Sequence, residues 1–159
     1  MVKHFITIIL VISFSTLSLI AQRSRGGIPP GLRHTDRHLK SKASVIIDLP
    51  SIDNAKLLQE DDNDSLNVLK PLRFAVKHTV DYSIYNSGEW LSDADGNPFW
   101  RIVLRSHNAY SLMLVFSKFS IPEGAELFVY DESKEFIFGA YTSDNNNNAS
   151  LLSLTPVPG

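Results

Sequence analysis

Phe99-Trp100-Arg101-Ile102-Val103-Leu104-Arg105 is the stretch that decides the fold class. Trp100, Ile102 and Leu104 fall on one face, and Arg101 and Arg105 on the other. This period of two predicts a strand with one buried and one wet face. Downstream, Leu112, Leu114 and Phe116 share a face within Ala109–Phe119, opposite Ser111, Met113, Val115 and Ser117. The second face is partly apolar, which predicts a more central strand. Ala125–Tyr130 and Phe136–Tyr141 read as further strands, and Leu72–His78 and Val80–Tyr85 as weaker ones. Asp95-Gly96, between Trp90-Leu91 and Phe99, is a tight hairpin signal. Ile121-Pro122-Glu123-Gly124 places Pro second and Gly fourth, as a type I turn prefers. Short strands, turns and no amphipathic helix between them predict an all-β fold, an antiparallel, jelly-roll-like β-sandwich. The Ser143–Asn148 tract reads as a polar loop.

The chain has 159 residues, 15 Lys+Arg, 17 Asp+Glu and no Cys. That length suits one ordinary domain. The balanced charge argues against a nucleic-acid binder that works by neutralising phosphates. The absence of Cys removes disulfides, thiolate zinc sites and thiol catalysis together.

Residues 1–21 read as a secretory signal peptide. Lys3 supplies the positive start, Phe5–Ile20 the apolar run, and Ala21 the small residue before a cut at Gln22. Leu19 departs from the small residue usual at the −3 position. A membrane anchor is the competing reading, but a span needs about 20 apolar residues and no stop-transfer cluster follows. The expected product is exported, extracellular or periplasmic, with no stable membrane anchor after cleavage.

Residues 22–66 are expected to form an extended, charged arm and linker ahead of a β-rich module over 67–159. The first part is basic, with Arg23, Arg25, Arg33, Arg37, Lys40 and Lys42 among Gly and Pro; residues 48–64 are acidic. The opposed blocks are expected to be solvated. Val45–Leu49 and Leu57-Leu58 are the apolar stretches able to dock the arm on a body.

The pattern offers little chemistry. A Ser/His/Asp enzyme needs a nucleophile beside a base with oxyanion donors, and no Ser stands in a G-x-S-x-G turn. His78 and His107 sit at strand ends, and His34 and His38 lie in the arm. His34 and His38 are four apart, as a helical metal clamp requires. They follow Pro29-Pro30-Gly31, however, and Arg33 and Arg37 would repel a cation. Asp93-Ala94-Asp95-Gly96-Asn97 resembles part of a calcium loop, but the sixth and twelfth positions are Pro98 and Leu104, where an EF-hand needs Gly and Glu. A hairpin turn accounts for the same residues. No cofactor or metal is expected. The aromatic residues of the second half are expected mainly in the core.

Several stretches resemble, in order and spacing, the N-terminal region of secreted bacterial lysyl endopeptidase-type serine protease precursors. They are Gly26-Gly27-Ile28-Pro29-Pro30, Leu72–Val76, Gly96–Ile102, Ala109–Leu112, Phe119–Tyr130 (FSIPEGAELFVY), Gly139–Thr142 (GAYT), the Asn run and Thr155–Gly159. Trp90, Gly96, Trp100, Pro122, Gly124 and Gly139 are the family-like structural positions. The Ala21–Gln22 junction resembles exported proteins of the Bacteroidetes group, and Asp64-Ser65-Leu66 is similar to their O-glycosylation sequon, with Ser65 as acceptor.

The resemblance implies a pro-domain that assists folding of a trypsin-like catalytic domain, inhibits it, and is removed on maturation. That protease domain is the implied partner, in cis in the family. The chain stops at Gly159, so the catalytic His, Asp and Ser have no positions here and the chain is expected not to be an enzyme. It is either a truncated precursor or a stand-alone relative, with an edge left open where a final strand would follow. Trimming is implied in the arm, at Arg33, Arg37, Lys40 or Lys42. The alternative is a stand-alone secreted binding module that holds a glycan or surface protein on exposed aromatics.

Overall fold

The computed structural model describes residues 23–33, 45–64, 71, 73–93 and 95–158. The signal segment with Ala21 and Gln22, the trimming candidates Arg37, Lys40 and Lys42, both arm histidines and Ser65 lie outside these residues. Arg33 is described by its backbone alone.

The fold is β-rich. In chain order it contains a short helix α1 (Pro30–Arg33), strand β1 (Ile46–Leu49) and helix α2 (Asn54–Asp64). Then come β2 (Glu89–Ser92), β3 (Pro98–Arg101), β4 (Val103–Ser106), β5 (Ser111–Leu112) and β6 (Val115–Phe116). β7 (Leu127–Tyr130), β8 (Ile137–Tyr141), β9 (Leu152–Ser153) and β10 (Val157–Pro158) complete it. The strands pair two by two. β2–β3, β7–β8, β6–β9 and β5–β10 are antiparallel, while β1 and β4 run parallel, against the expectation of antiparallel pairing throughout.

The core lies where two ribbons meet. Phe119, Tyr141, Leu152 and Leu154 are buried, with Leu114, Phe116, Ile121, Leu127, Val129 and Phe138 packed around them. One ribbon joins residues 111–116 to 152–158. Its register slips once, since Leu112 faces Val157 and Val115 faces Ser153. The extra residue falls in Leu154–Pro156, where Pro156 has no N–H to give a ladder, and Leu154 N–H bridges the slip to Leu114 O at 2.9 Å. Leu112, Leu114 and Phe116 point inward as their alternation predicts, but Met113 and Val115 are exposed, so this is not a central strand. Close to Gly159, Val157 pairs with Leu112.

The other ribbon is the hairpin β7–β8. Leu127 faces Tyr141 and Val129 faces Phe138, so Gly139 and Ala140 together oppose Phe128 alone, a bulge. At the bulge Ala140 turns its backbone away from β7. It accepts from Arg25 N–H and donates to Gly26 O, both at 3.0 Å. The N-terminal arm thereby takes the outer edge of β8, and Ser24 Oγ donates to Gly139 O.

The arm is more ordered than its composition predicts. β1 zips onto β4, and Ile52 N–H continues the pairing to His107 O. α2 begins because Asp53 caps it, its Oδ1 accepting from Lys56 N–H at 3.0 Å. Its last turn is acidic, against the helix dipole, and Arg73 answers with ion pairs to Glu60 (2.9 Å) and Asp61 (3.1 Å).

The weaker strand candidates do not form. Residues 73–83 have no regular structure, and Ser83–Ser87 closes a turn through Asn86 N–H and Ser87 N–H to Ser83 O. The stretch 99–105 is broken at Ile102 into β3 and β4, and Arg101 is not on a wet face. It is half-buried and binds Glu89, whose residue is only 8% exposed, at 2.7 Å.

Candidate functional site

The family-like positions fall into two groups rather than one site. Trp90 and Trp100 face each other across β2–β3. Trp100 Nε1 donates to Ser87 O (2.8 Å) and Trp90 Nε1 to Ile84 O (3.2 Å), so both indoles pin the 83–88 loop. Gly88 makes this possible, because a Cβ there would stand 2.5 Å from Arg101 O and 2.8 Å from the Trp100 ring. Gly96 lies in the turn of the same hairpin. Asp93 builds that turn: its Oδ1 accepts from Asp95 N–H and Asn97 N–H, and its Oδ2 from the Asn97 amide. The carboxylate of the calcium-like loop is thus spent on an Asx turn.

Pro122, Gly124 and Gly139 belong to β7–β8 and its approach. Ala125 N–H donates to Pro122 O, and Gly124 has φ +83°. The turn therefore spans 122–125, one residue later than expected, with Gly third as in type II rather than type I. Gly139 sits in the bulge at φ +123°, where a Cβ would lie 2.4 Å from Leu127 O.

The Asn run is structural. Asn145 is buried and its Oδ1 accepts from Thr142 N–H, closing a capping box on the short 3-10 turn Ser143–Asn145. Asn146 holds Ile121 by both backbone groups, Oδ1 on N–H (3.1 Å) and Nδ2 on C=O (2.9 Å). Asn147 does the same for Leu151. These three amides tie the β8–β9 connection to the core. The only sequence signal for them was the run itself, which read as a loop.

Several other polar groups are committed to the fold as well. His107 Nε2 stands 3.7 Å from Asp48 Oδ1, both side chains largely exposed. The hydroxyls of Ser87 and Ser106 donate to the backbone carbonyls of Ser83 and Pro50. Among the described residues no cluster of three or more His, Asp and Glu could hold a metal ion, and no helix is long and apolar enough to cross a membrane. An open groove is lined by Ser51, Ile52, Asp53, Asn54, Asn108, Ala109 and Tyr110. Within it Asp53 is spent on the α2 cap and the Asn54 amide on Asn108 O.

The surface also carries a number of apolar side chains. Phe74, Val76, Val80, Tyr82, Ile84, Tyr85, Trp90 and Tyr110 are exposed, Tyr85 at 92% and Trp90 at 56%. The expectation that the second-half aromatics fill the core holds for Phe119, with Phe116 and Phe138 packed against it, but not for Trp90, Tyr110 and Phe136. No family model matches the chain, and no solved structure matches it.

Proposed function

We propose that this chain is the non-catalytic, pro-domain-like region of a secreted serine endopeptidase precursor, acting as folding assistant and inhibitor of a protease domain. In this reading the two ribbons around the core are the layers of a jelly-roll-like sandwich. Residues 1–21 direct export, Ser65 is a glycan acceptor, and the arm is trimmed at Arg33, Arg37, Lys40 or Lys42. One observation carries the reading. The strongest family-like pieces, Phe119–Tyr130 and Gly139–Thr142, supply Phe119, Ile121, Leu127, Val129 and Tyr141 to the core. The resemblance thus runs through the residues that fix the body. A pro-domain needs no reacting groups; it acts through contact area and strand edges.

The test adds the chain in trans to a mature lysyl endopeptidase, during refolding and during assay. Saturable inhibition or a raised yield of active enzyme supports the proposal. A chain folded by circular dichroism that does neither overturns it. A secreted module binding a glycan or a surface protein is the second reading, favoured by the exposed Trp90 ring. It predicts quenching of Trp90 fluorescence on glycan binding, abolished in Trp90→Ala.

A further inference from the structure

The segment 73–85 reads as a strand and has no sheet. Its even positions are Phe74, Val76, His78, Val80, Tyr82 and Ile84; its odd positions include Lys77, Thr79, Asp81 and Ser83. Phe74 is 82% exposed, and Val76, Val80, Tyr82 and Ile84 are exposed as well. In an extended backbone, the N–H and C=O of one residue point to one edge and those of the next residue to the other. The edge of the odd residues is occupied at its C-terminal end, at Asp81 and Ser83. Asp81 O accepts from the Asn86 amide, Ser83 N–H donates to Asn86 Oδ1, and Ser83 O accepts from Asn86 and Ser87 N–H. The edge of Val76, His78, Val80 and Tyr82 has no backbone partner among the described residues. A free edge beside an apolar face is a template for another strand.

The sequence itself says which strand. We propose that residues 76–82 pair antiparallel with the same residues of a second copy, in the register centred on Thr79. In that register Val76 faces Tyr82 of the second copy, His78 faces Val80, Lys77 faces Asp81 and Thr79 faces itself. Aromatic with β-branched, opposite charges and Thr with Thr are the pairs that stabilise antiparallel strands. Only this register sets Lys77 against Asp81, and the two-fold repeats that ion pair on both sides of the axis, as an isologous interface requires. The backbone phase agrees. Val76, His78, Val80 and Tyr82 become the hydrogen-bonded positions, while Lys77, Thr79 and Asp81 fall in the close, non-hydrogen-bonded positions, their own backbone groups facing the edge that Asn86 takes at Asp81 and Ser83. This pairing stands independently of the pro-domain reading.

The chain contains no cysteine, so engineered thiols report the register directly in the whole chain. Close antiparallel partners have Cα atoms about 4.5 Å apart, within the range a disulfide spans. Thr79→Cys is expected to form a disulfide dimer under mild oxidation. Lys77→Cys mixed with Asp81→Cys should give the mixed dimer. Lys77→Cys alone should not, since its two copies would stand four residues out of register, roughly 13 Å apart. A surface control, Lys118→Cys, sets the background. In parallel, Lys77→Asp should weaken self-association, read by sedimentation equilibrium, by about tenfold, the effect of roughly 1.4 kcal/mol over two symmetric pairs. The charge swap Lys77→Asp with Asp81→Lys should restore it. Cross-linking of Thr79→Cys no faster than the control, equal cross-linking at all positions, or a chain that stays monomeric at every concentration each overturns the pairing. A segment 76–82 that is protected only when a protease is added has the same consequence, and leaves the inhibition test unaffected.

Discussion

At the residue scale, the strongest constraints sit where backbone approaches backbone. Gly139 has φ +123°, and a Cβ would stand 2.4 Å from Leu127 O and 3.0 Å from the Phe128 ring. Neither the carbonyl of a paired strand nor the backbone of Phe128 can give way cheaply. Gly139→Ala is therefore expected to cost about 3 kcal/mol or more, combining left-handed strain with the clash. Urea unfolding measures it, and a loss under about 1 kcal/mol would show that the bulge relaxes around a methyl group. Asp131 makes a different prediction. Its carboxyl is held below the usual Asp range, first by the Ser133 hydroxyl and then by the N–H groups of Phe136 (2.8 Å) and Ser133 (3.2 Å). A depressed carboxyl stabilises the folded state above the unfolded value, near pH 4, and that contribution disappears as pH falls through the folded value. The side chain is only partly shielded, and the effect is local to the β7–β8 turn. An NMR titration of the Asp131 carboxyl should show a midpoint below that of an unfolded peptide; a midpoint at or above it would contradict the turn geometry.

At the element scale, what the sequence hides is the pairing of polar groups. The alternation at Leu112, Leu114 and Phe116 identified the inward face correctly, because burial alone sets that pattern. Arg101 was misread for the opposite reason. Its alternation pointed to solvent, but the cross-strand partner Glu89 keeps it half-buried. Removing Arg101 would leave a buried carboxylate without its cation. Arg101→Ala is accordingly expected to cost about 3 kcal/mol, against 1 kcal/mol or less for Arg25→Ala, whose pair with Asp144 is solvent-exposed on both sides. Equal losses in thermal unfolding would mean that the Glu89–Arg101 pair is open to water. α2 was missed because its Asp and Asn residues favour caps over helix interiors and its acidic last turn opposes the dipole. The Asp53 cap and Arg73 offset these, and Arg73 lies too far along the chain for any local pattern to reveal. The Asn run was legible as a loop and illegible as a set of braces. Asn145→Ala strips a buried backbone N–H of its acceptor and should cost about 1–3 kcal/mol. Asn146→Ala, whose partners at Ile121 can turn to water, should cost less.

At the scale of the whole molecule, the arm changes meaning. Read by composition, residues 22–66 are a charged tether; in three dimensions their two ends are tied to different parts of the body. Ser24, Arg25 and Gly26 hold the edge of β8, and β1 with Ile52 and Asn54 holds β4 and the loop that follows it. No periodicity announces either tie, because each is a few residues long and each depends on a distant partner, Ala140 or Val103. The tie to β8 depends further on the bulge at Gly139–Ala140, which turns the Ala140 backbone outward. The consequence is a graded susceptibility to proteolysis. Trypsin-type proteases bind substrate in extended, unpaired form, and Arg25 offers a backbone already bonded to Ala140. Cleavage after Arg25 requires that pairing to open first, and each 1.4 kcal/mol of opening slows it about tenfold. Under limited trypsin treatment, the bond after Arg25 should therefore be cut at least about tenfold more slowly in the folded chain than in a short peptide of the same sequence. Mass spectrometry of timed digests gives both rates directly. Equal rates would mean that the arm leaves β8 freely, and that its pairing does not secure the edge of the body in solution.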